Sequence, residues 1–249
     1  ASIGHSPPNA LAPTSSHMWK LLIDDKFLFK SDLLMEEVKV LSFWASPFGM
    51  RVLIGLEEKG VKYKYEEEYV AVHKSDLLLR MNPVHKMIPV LIHNGNSICE
   101  SLIILQYIDE AWKASNRILP SDPYDRALAR FWADFVDKKI YEAISRIIRS
   151  QGDAQKEAKR DMLENLEHLE GALKQMSKGG PYFGGEEFGY VDIAFIPVAS
   201  WFHTYEIIGN FKLPFQARFP LLHAWVSKCM ERDSVNKILP TPERIMEFA

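Results

Sequence analysis

Ile88-Pro89-Val90-Leu91-Ile92-His93-Asn94-Gly95-Asn96-Ser97-Ile98-Cys99-Glu100-Ser101 is the stretch on which the fold turns. Two short apolar runs flank an Asn-Gly pair, the strongest short-range hairpin signal, because both central residues of a type I′ turn need positive φ. Pro89 suits the first residue of a strand, where its missing N–H removes no ladder bond. Beyond Glu100 the period changes, and Leu102, Leu105, Ile108 and Trp112 share one helical face. A hairpin running straight into a helix makes at least part of the sheet antiparallel.

Toward the N-terminus, Val38 to Phe43 reads as a strand that meets Ala45-Ser46-Pro47-Phe48. Met50, Val52, Leu53 and Leu56 then recur at helical spacing, and Gly60 supplies the usual stop. Lys62 to Val70 predicts a second strand, and Leu77 to Met81 a short helical turn closed by Asn82-Pro83. The order strand, helix, strand, helix, hairpin, helix predicts an α/β domain with a mixed sheet over residues 36–115.

Toward the C-terminus, residues 116–123, with Pro120 and Pro123, read as a linker, and residues 124–249 as an all-α domain. Ala127, Leu128, Phe131, Trp132 and Phe135 make one apolar stripe, and Met162, Leu163, Leu166, Leu169 and Leu173 another. Leu221, Trp225 and Val226 add one more. Val191 to Tyr205 is almost uncharged and predicts a central helix buried on most sides. Residues 1–35 begin Ser/Pro/Ala-rich and are expected to be a disordered extension.

The chain has 249 residues, 47% hydrophobic and 25% charged, enough apolar material for a core without staples. A net charge of −3 lacks the basic footprint that phosphate backbones require, so nucleic acid is not an expected partner. The two cysteines, Cys99 and Cys229, make neither a disulfide framework nor a zinc site. No apolar run reaches the ~18 residues of a membrane span.

Three places could carry chemistry, and each has a plain structural alternative. Ser46-Pro47 is a good helix cap, but a hydroxyl at a helix start also sits where an anion is stabilised. Met87-Ile88-Pro89-Val90 is a loop-to-strand junction, but a cis Ile88–Pro89 bond would turn the Ile88 backbone outward to pair with an extended peptide. Glu100-Ser101 is a cap with a dipole-complementing acid, but it can also hold an ammonium and a carboxylate.

These motifs carry a resemblance. Phe43-Trp44-Ala45-Ser46-Pro47-Phe48-Gly49-Met50-Arg51-Val52, Asn82 through Leu91, and Ile98-Cys99-Glu100-Ser101 resemble the glutathione-site segments of plant-type, tau-class glutathione transferases. Arg130 to Asp134, Tyr182 to Gly185 and Gly189 to Ala194 resemble segments of that class's helical half. The resemblance runs from residue 36 to 249 and implies a thioredoxin-like α/β N-terminal domain followed by an all-α domain.

It also implies roles. Ser46 would stabilise the glutathione thiolate. Ile88, before a cis Pro89, would pair with the cysteinyl backbone. Glu100 and Ser101 would hold the γ-glutamyl end, and Lys74 the glycine carboxylate. Met87 stands where the class often has Lys, so glutathione affinity is expected to be somewhat lower, with Lys74 or Lys86 carrying the glycine end.

Phe43, Phe48, Tyr141 and Trp201 match positions lining the electrophile site. Ser145 and Ile148 stand where Arg and Trp are frequent, which makes that pocket less cationic. His85 is expected near the surface, and Asp192 to serve folding. Serine rather than cysteine at position 46 disfavours thiol exchange. The resemblance therefore implies a cytoplasmic, homodimeric enzyme of detoxification and stress response that conjugates glutathione, its co-substrate, to hydrophobic electrophiles without a cofactor, metal or membrane. The alternative is a ligandin-like carrier of hydrophobic molecules on the same fold.

Overall fold

Valines and leucines on both faces of β1 (Val38–Ser42) leave it no solvent side, and it lies at the centre of the sheet. The computed structural model describes residues 37–113 and 116–248, so the extension expected at residues 1–35 lies outside the described residues. β2 (Lys64–Glu67) pairs with β1 in parallel, while β3 (Val90–His93) pairs with β1 antiparallel on its other edge. β4 (Asn96–Cys99) closes the order β2-β1-β3-β4. The hairpin register joins Val90 to Cys99 and His93 to Asn96. Asn94 and Gly95 take φ of 49° and 80°, the pair of positive angles that a type I′ turn needs.

The second strand is shorter than the Lys62–Val70 run predicts. It is an edge, with Lys64 and Tyr65 exposed, and pairing ends where the chain turns away after Glu67.

α1 (Pro47–Glu58) packs between β1, α3 (Ser101–Ala111) and α7 (Tyr190–Ala199), which explains why it is buried from Gly49 to Leu56. Two glycines let it come so close. A Cβ at position 49 would lie 1.8 Å from Ser42 Oγ, and one at position 55 would lie 2.6 Å from Leu105 Cδ2. α2 (Asp76–Met81) is capped by Ser75, whose Oγ accepts from Leu78 N at 3.0 Å.

The rest is helical: α4 (Pro123–Phe135), a π-helical stretch (Val136–Tyr141), α5 (Glu142–Arg149), α6 (Gly152–Met176), α7, α8 (Phe202–Ile208), α9 (Phe215–Arg218), α10 (Pro220–Met230), α11 (Asp233–Asn236) and α12 (Pro242–Phe248). The fold is thus a thioredoxin-like N-terminal part with a mixed sheet and a helical C-terminal part.

One expectation is corrected here, and one is met only in part. The uncharged run Val191–Tyr205 is two helices rather than one. Pro197 lacks the N–H that would bond one turn back, and the chain breaks at Ser200–Trp201, where Ser200 Oγ donates to Pro197 O. The aromatic stripe of α4 meets the core only in part: Trp132 and Phe135 pack against it, half-buried, beside the fully buried Ala129 and Ala133 that bring α4 against α7, while Phe131 remains 57% exposed.

Candidate functional site

Everything at the candidate site radiates from the turn between β1 and α1. Ser46 is the N-cap of α1, with extended φ and ψ of −77° and 115°. Its Oγ accepts a 3.3 Å hydrogen bond from Gly49 N, and Pro47 follows at the first helical position. Because the hydroxyl accepts from Gly49, its own O–H stays available to donate. The turn is braced from behind: Trp44 N donates to Glu67 Oε1 at 2.9 Å, and Ser46 N to Phe43 O at 2.9 Å.

The Ile88–Pro89 bond is cis. Ile88 is half-buried, and its backbone N–H and C=O make no hydrogen bond among the described residues. The loop before it hangs on buried Asn82, whose Nδ2 donates to Met87 O at 2.9 Å and whose Oδ1 accepts from His85 N at 3.1 Å. Met87 is 49% exposed, and the neighbouring Lys86 sits at φ +55° with its side chain exposed.

Glu100 caps α3 at φ +70°, a left-handed conformation that costs a non-glycine residue of order 1 kcal/mol or more. Its carboxylate makes no cap bond, is exposed, and lies 3.9 Å from His85 Nε2. Ser101 begins the helix and is buried. Lys74, half-buried in the loop just before Ser75, has no ion pair among the described residues.

Arg51 braces the candidate site, and sequence reasoning passed over it. It is completely buried. Nη1 donates to Ser101 Oγ at 3.2 Å, Nε to Ala194 O at 2.8 Å, and the two terminal nitrogens clamp Asp137 at 2.6 and 3.1 Å. The guanidinium also lies 5.0 Å from the Phe48 ring centroid. One side chain thereby ties α1, α3, the π-helical stretch and α7 together. With Ser101 Oγ accepting from Arg51, the serine O–H remains free to donate outward.

Rings gather around the residues that flank Ser46 in the chain. Phe43 packs on Tyr69 and Phe248 at 5.4 and 5.1 Å, Trp44 on Phe248 at 5.6 Å, and Trp201 on Tyr205 and Phe248 at 5.6 and 6.4 Å. Phe48 meets Tyr141 edge-on at 4.9 Å. Burial, with the Tyr141 phenol beside it, pushes the Tyr205 hydroxyl well above its ordinary value. The structure thus joins Phe43 to Trp201 through Phe248, and Phe48 to Tyr141. Phe248 and the C-terminal helix α12 that carries it were not foreseen. Arg244 of the same helix lies 4.1 Å over the Trp44 ring.

Among the described residues no His/Cys/Asp/Glu cluster could hold a metal ion, and no helix is long and apolar enough to cross a membrane. A concavity of about 500 Å³ bounded by Glu57, Glu58, Tyr182, Lys228 and Arg232 is lined by charges that pair with one another, Arg232 with Glu58 at 2.7 Å and Lys228 with Glu231 at 2.6 Å.

The N-terminal-domain model of the glutathione S-transferases matches residues 36–110, and the C-terminal-domain model residues 131–233. Glutathione S-transferase U19 of Arabidopsis thaliana is 53% identical over 212 residues, 85% of this chain and 94% of that protein. The chain belongs to the tau class of the glutathione transferases. Glutathione S-transferase 3 of Glycine max is 48% identical over 210 residues, 84% of this chain and 93% of that protein. The tau-class transferase structure from mango, Mangifera indica, superposes with a TM-score of 0.82 at 46% identity, covering 85% of this chain and 96% of that one. A rice transferase solved in complex with glutathione gives 0.78 at 45%, covering 86% and 94%. This transferase is an enzyme, and its curated relatives are plant proteins.

Proposed function

We propose that this transferase joins the glutathione thiolate to hydrophobic electrophiles, with Ser46 as the group that stabilises the thiolate. The supporting observation is the Ser46 hydroxyl at the N-cap of α1, its own proton free to donate while Gly49 N fills one of its acceptor positions. A free thiol titrates near 8.5, so little of it is anionic at neutral pH. A hydroxyl donor and the positive end of a helix both favour the anion, and the anion is the nucleophile. The sulfur then attacks an electrophilic carbon, displacing a leaving group or adding to an activated double bond. Holding both partners in place contributes much of the remaining acceleration.

The unpaired backbone of Ile88 suits the cysteinyl unit in the manner of an added strand. Exposed Glu100 suits the γ-glutamyl ammonium, the Ser101 hydroxyl its carboxylate, and Lys74 the glycine carboxylate. The rings of Phe43, Phe48, Tyr141, Trp201 and Phe248 suit an apolar electrophile. The domain limits follow the sequence reading, with the glutathione domain at residues 36–115 and the electrophile domain from residue 124. The enzyme works as a cytoplasmic homodimer in detoxification; exposed Phe131 and Ile103 give it an apolar surface for a second copy.

The test is conjugation of glutathione to 1-chloro-2,4-dinitrobenzene by wild type and by Ser46→Ala, with glutathione binding measured by calorimetry. The variant is expected to lose about 10²-fold in kcat, as for removal of one anion-stabilising donor, while its Kd changes only a few-fold. Its pH–rate profile should move up toward the ordinary thiol value. If both proteins are inert yet bind glutathione and apolar ligands equally well, the enzyme reading of this site fails and a carrier is left.

A further inference from the structure

Two neighbouring carboxylates at the end of β2 hold two different parts of the candidate site. Glu67 reaches the turn that carries Ser46, accepting from Trp44 N at 2.9 Å. Successive strand side chains leave on opposite faces, and Glu68 goes to Ser75 instead. Its own N–H still bonds β1, donating to Ser42 O at 2.7 Å. Both carboxylate oxygens are taken by that one serine: Oε1 accepts from the Ser75 hydroxyl, and Oε2 from the Ser75 N–H at 3.4 Å. Glu68 is 3% exposed and has no ion pair among the described residues.

A buried carboxylate without a cation is costly, so this one is a poor device for stability alone. What it achieves is geometric. It ties the end of β2 to the N-cap of α2 and closes the loop of residues 69–74 between them. The start of that loop is packed, Tyr69 on Phe43 at 5.4 Å and Val70 against the cluster of Leu41, Leu78, Val90 and Ile92. Its middle, at Val72, is exposed, and its far end is Lys74, one residue before Ser75. Ser75 is therefore the anchor nearest to Lys74. The serine Oγ donates to Glu68 while accepting from Leu78 N at 3.0 Å, so its position is fixed from both sides.

We infer that Glu68 is a positioning residue for the glycine end of glutathione: through Ser75 it fixes the loop that presents Lys74 to the glycine carboxylate. The inference rests on the glutathione reading of the site and adds to it a residue that touches no substrate.

The probes are glutathione and glutathione amide, which differ only in that the glycine carboxylate is a neutral carboxamide in the second. Calorimetry of wild type is expected to show about a fivefold preference for glutathione, the margin between a charge-assisted and a neutral hydrogen bond at a half-exposed lysine. Lys74→Met should remove that preference. Glu68→Gln keeps the shape but sets one acceptor and one donor against the two donors of Ser75, and should reduce the ratio to about twofold or less while changing amide binding little. In the Lys74→Met background, Glu68→Gln should change the ratio no further.

The sign of the change separates the explanations. If Glu68 acted only as a nearby negative charge, removing it would raise the preference for the anionic ligand. If it only supported the fold, both ligands would weaken together and the ratio would stand. Either result overturns the inference. Ser75→Ala, which removes the hydroxyl and leaves the carboxylate, asks the same question should Glu68→Gln not fold, and an undiminished ratio there overturns the inference too. A Lys74→Met protein that keeps the preference defeats the Lys74 assignment and the inference with it, whereas a loss there beside full retention in Glu68→Gln defeats Glu68 alone. Wild type that binds neither probe defeats the glutathione reading itself, and the inference falls with it.

Discussion

The two walls proposed above, one for glutathione and one for the electrophile, are built on opposite plans. On the proposed glutathione side, polar groups are held in place by one another: Asn82 braces the loop before Ile88, and Arg51 holds Ser101 and Asp137 at once. On the proposed electrophile side, rings touch rings, and the interactions are replaceable contacts rather than directed bonds. The first plan tolerates little, because removing one partner leaves a buried charge or amide unmet. The second loses binding in small steps. A site that takes one fixed co-substrate and many variable ones fits that division.

The comparison can be broken first at Arg51. Arg51→Met leaves Asp137 without its partner and frees Ser101, and should destabilise the protein by about 3–5 kcal/mol in urea unfolding while weakening glutathione binding. If stability and binding both survive, the polar wall is not preset as described.

Asp192 tests the frame behind the walls. Its carboxylate accepts from Phe183 N, Gly189 N and Trp225 Nε1, yet complete burial outweighs these donors and pushes it up to about 6. A carboxyl raised on folding contributes its stability in full below the unfolded value of about 4, and loses it as pH rises through about 6. Unfolding free energies at pH 4.5 and 7.5 should therefore differ by about 2 kcal/mol in wild type, with the lower pH favoured by this group, and by less in Asp192→Asn.

Glu100→Gln keeps the shape and removes the charge. Because the carboxylate is exposed, the expected rise in glutathione Kd is about tenfold at most, with kcat little affected. Phe248→Ala sharpens the other wall: the electrophile KM should rise about three- to fivefold, more than the glutathione KM does. Equal changes in both would mean the walls are not separable.

How much of this was legible in the residues depends on range. The Asn94-Gly95 turn, the Ser46-Pro47 cap and the α1 stripe are local, and local rules recover them. Arg51 is not: one cation in an amphipathic helix reads as a surface residue, and its partner Asp137 is 86 positions away on a π-helical stretch that leaves no mark in composition. The α4 stripe was legible as an apolar face, but periodicity does not say what covers each residue. The smaller Ala129 and Ala133 let α7 approach closely, Trp132 and Phe135 pack half-buried against the core, and Phe131 is left exposed. Phe248 escaped notice because a contact from the last helix to Phe43 has no periodic signature.

Arg51 also bears on synthesis. Its bond to Ala194 O spans 143 positions of sequence. A growing chain exposes Ser46 and Ser101 to the ribosome's surroundings long before α7 has been made. Until then the guanidinium lacks its acceptor at Ala194, and α1 lacks the α7 surface it packs on. The proposed glutathione wall, encoded first, is completed only when a residue of α7 arrives.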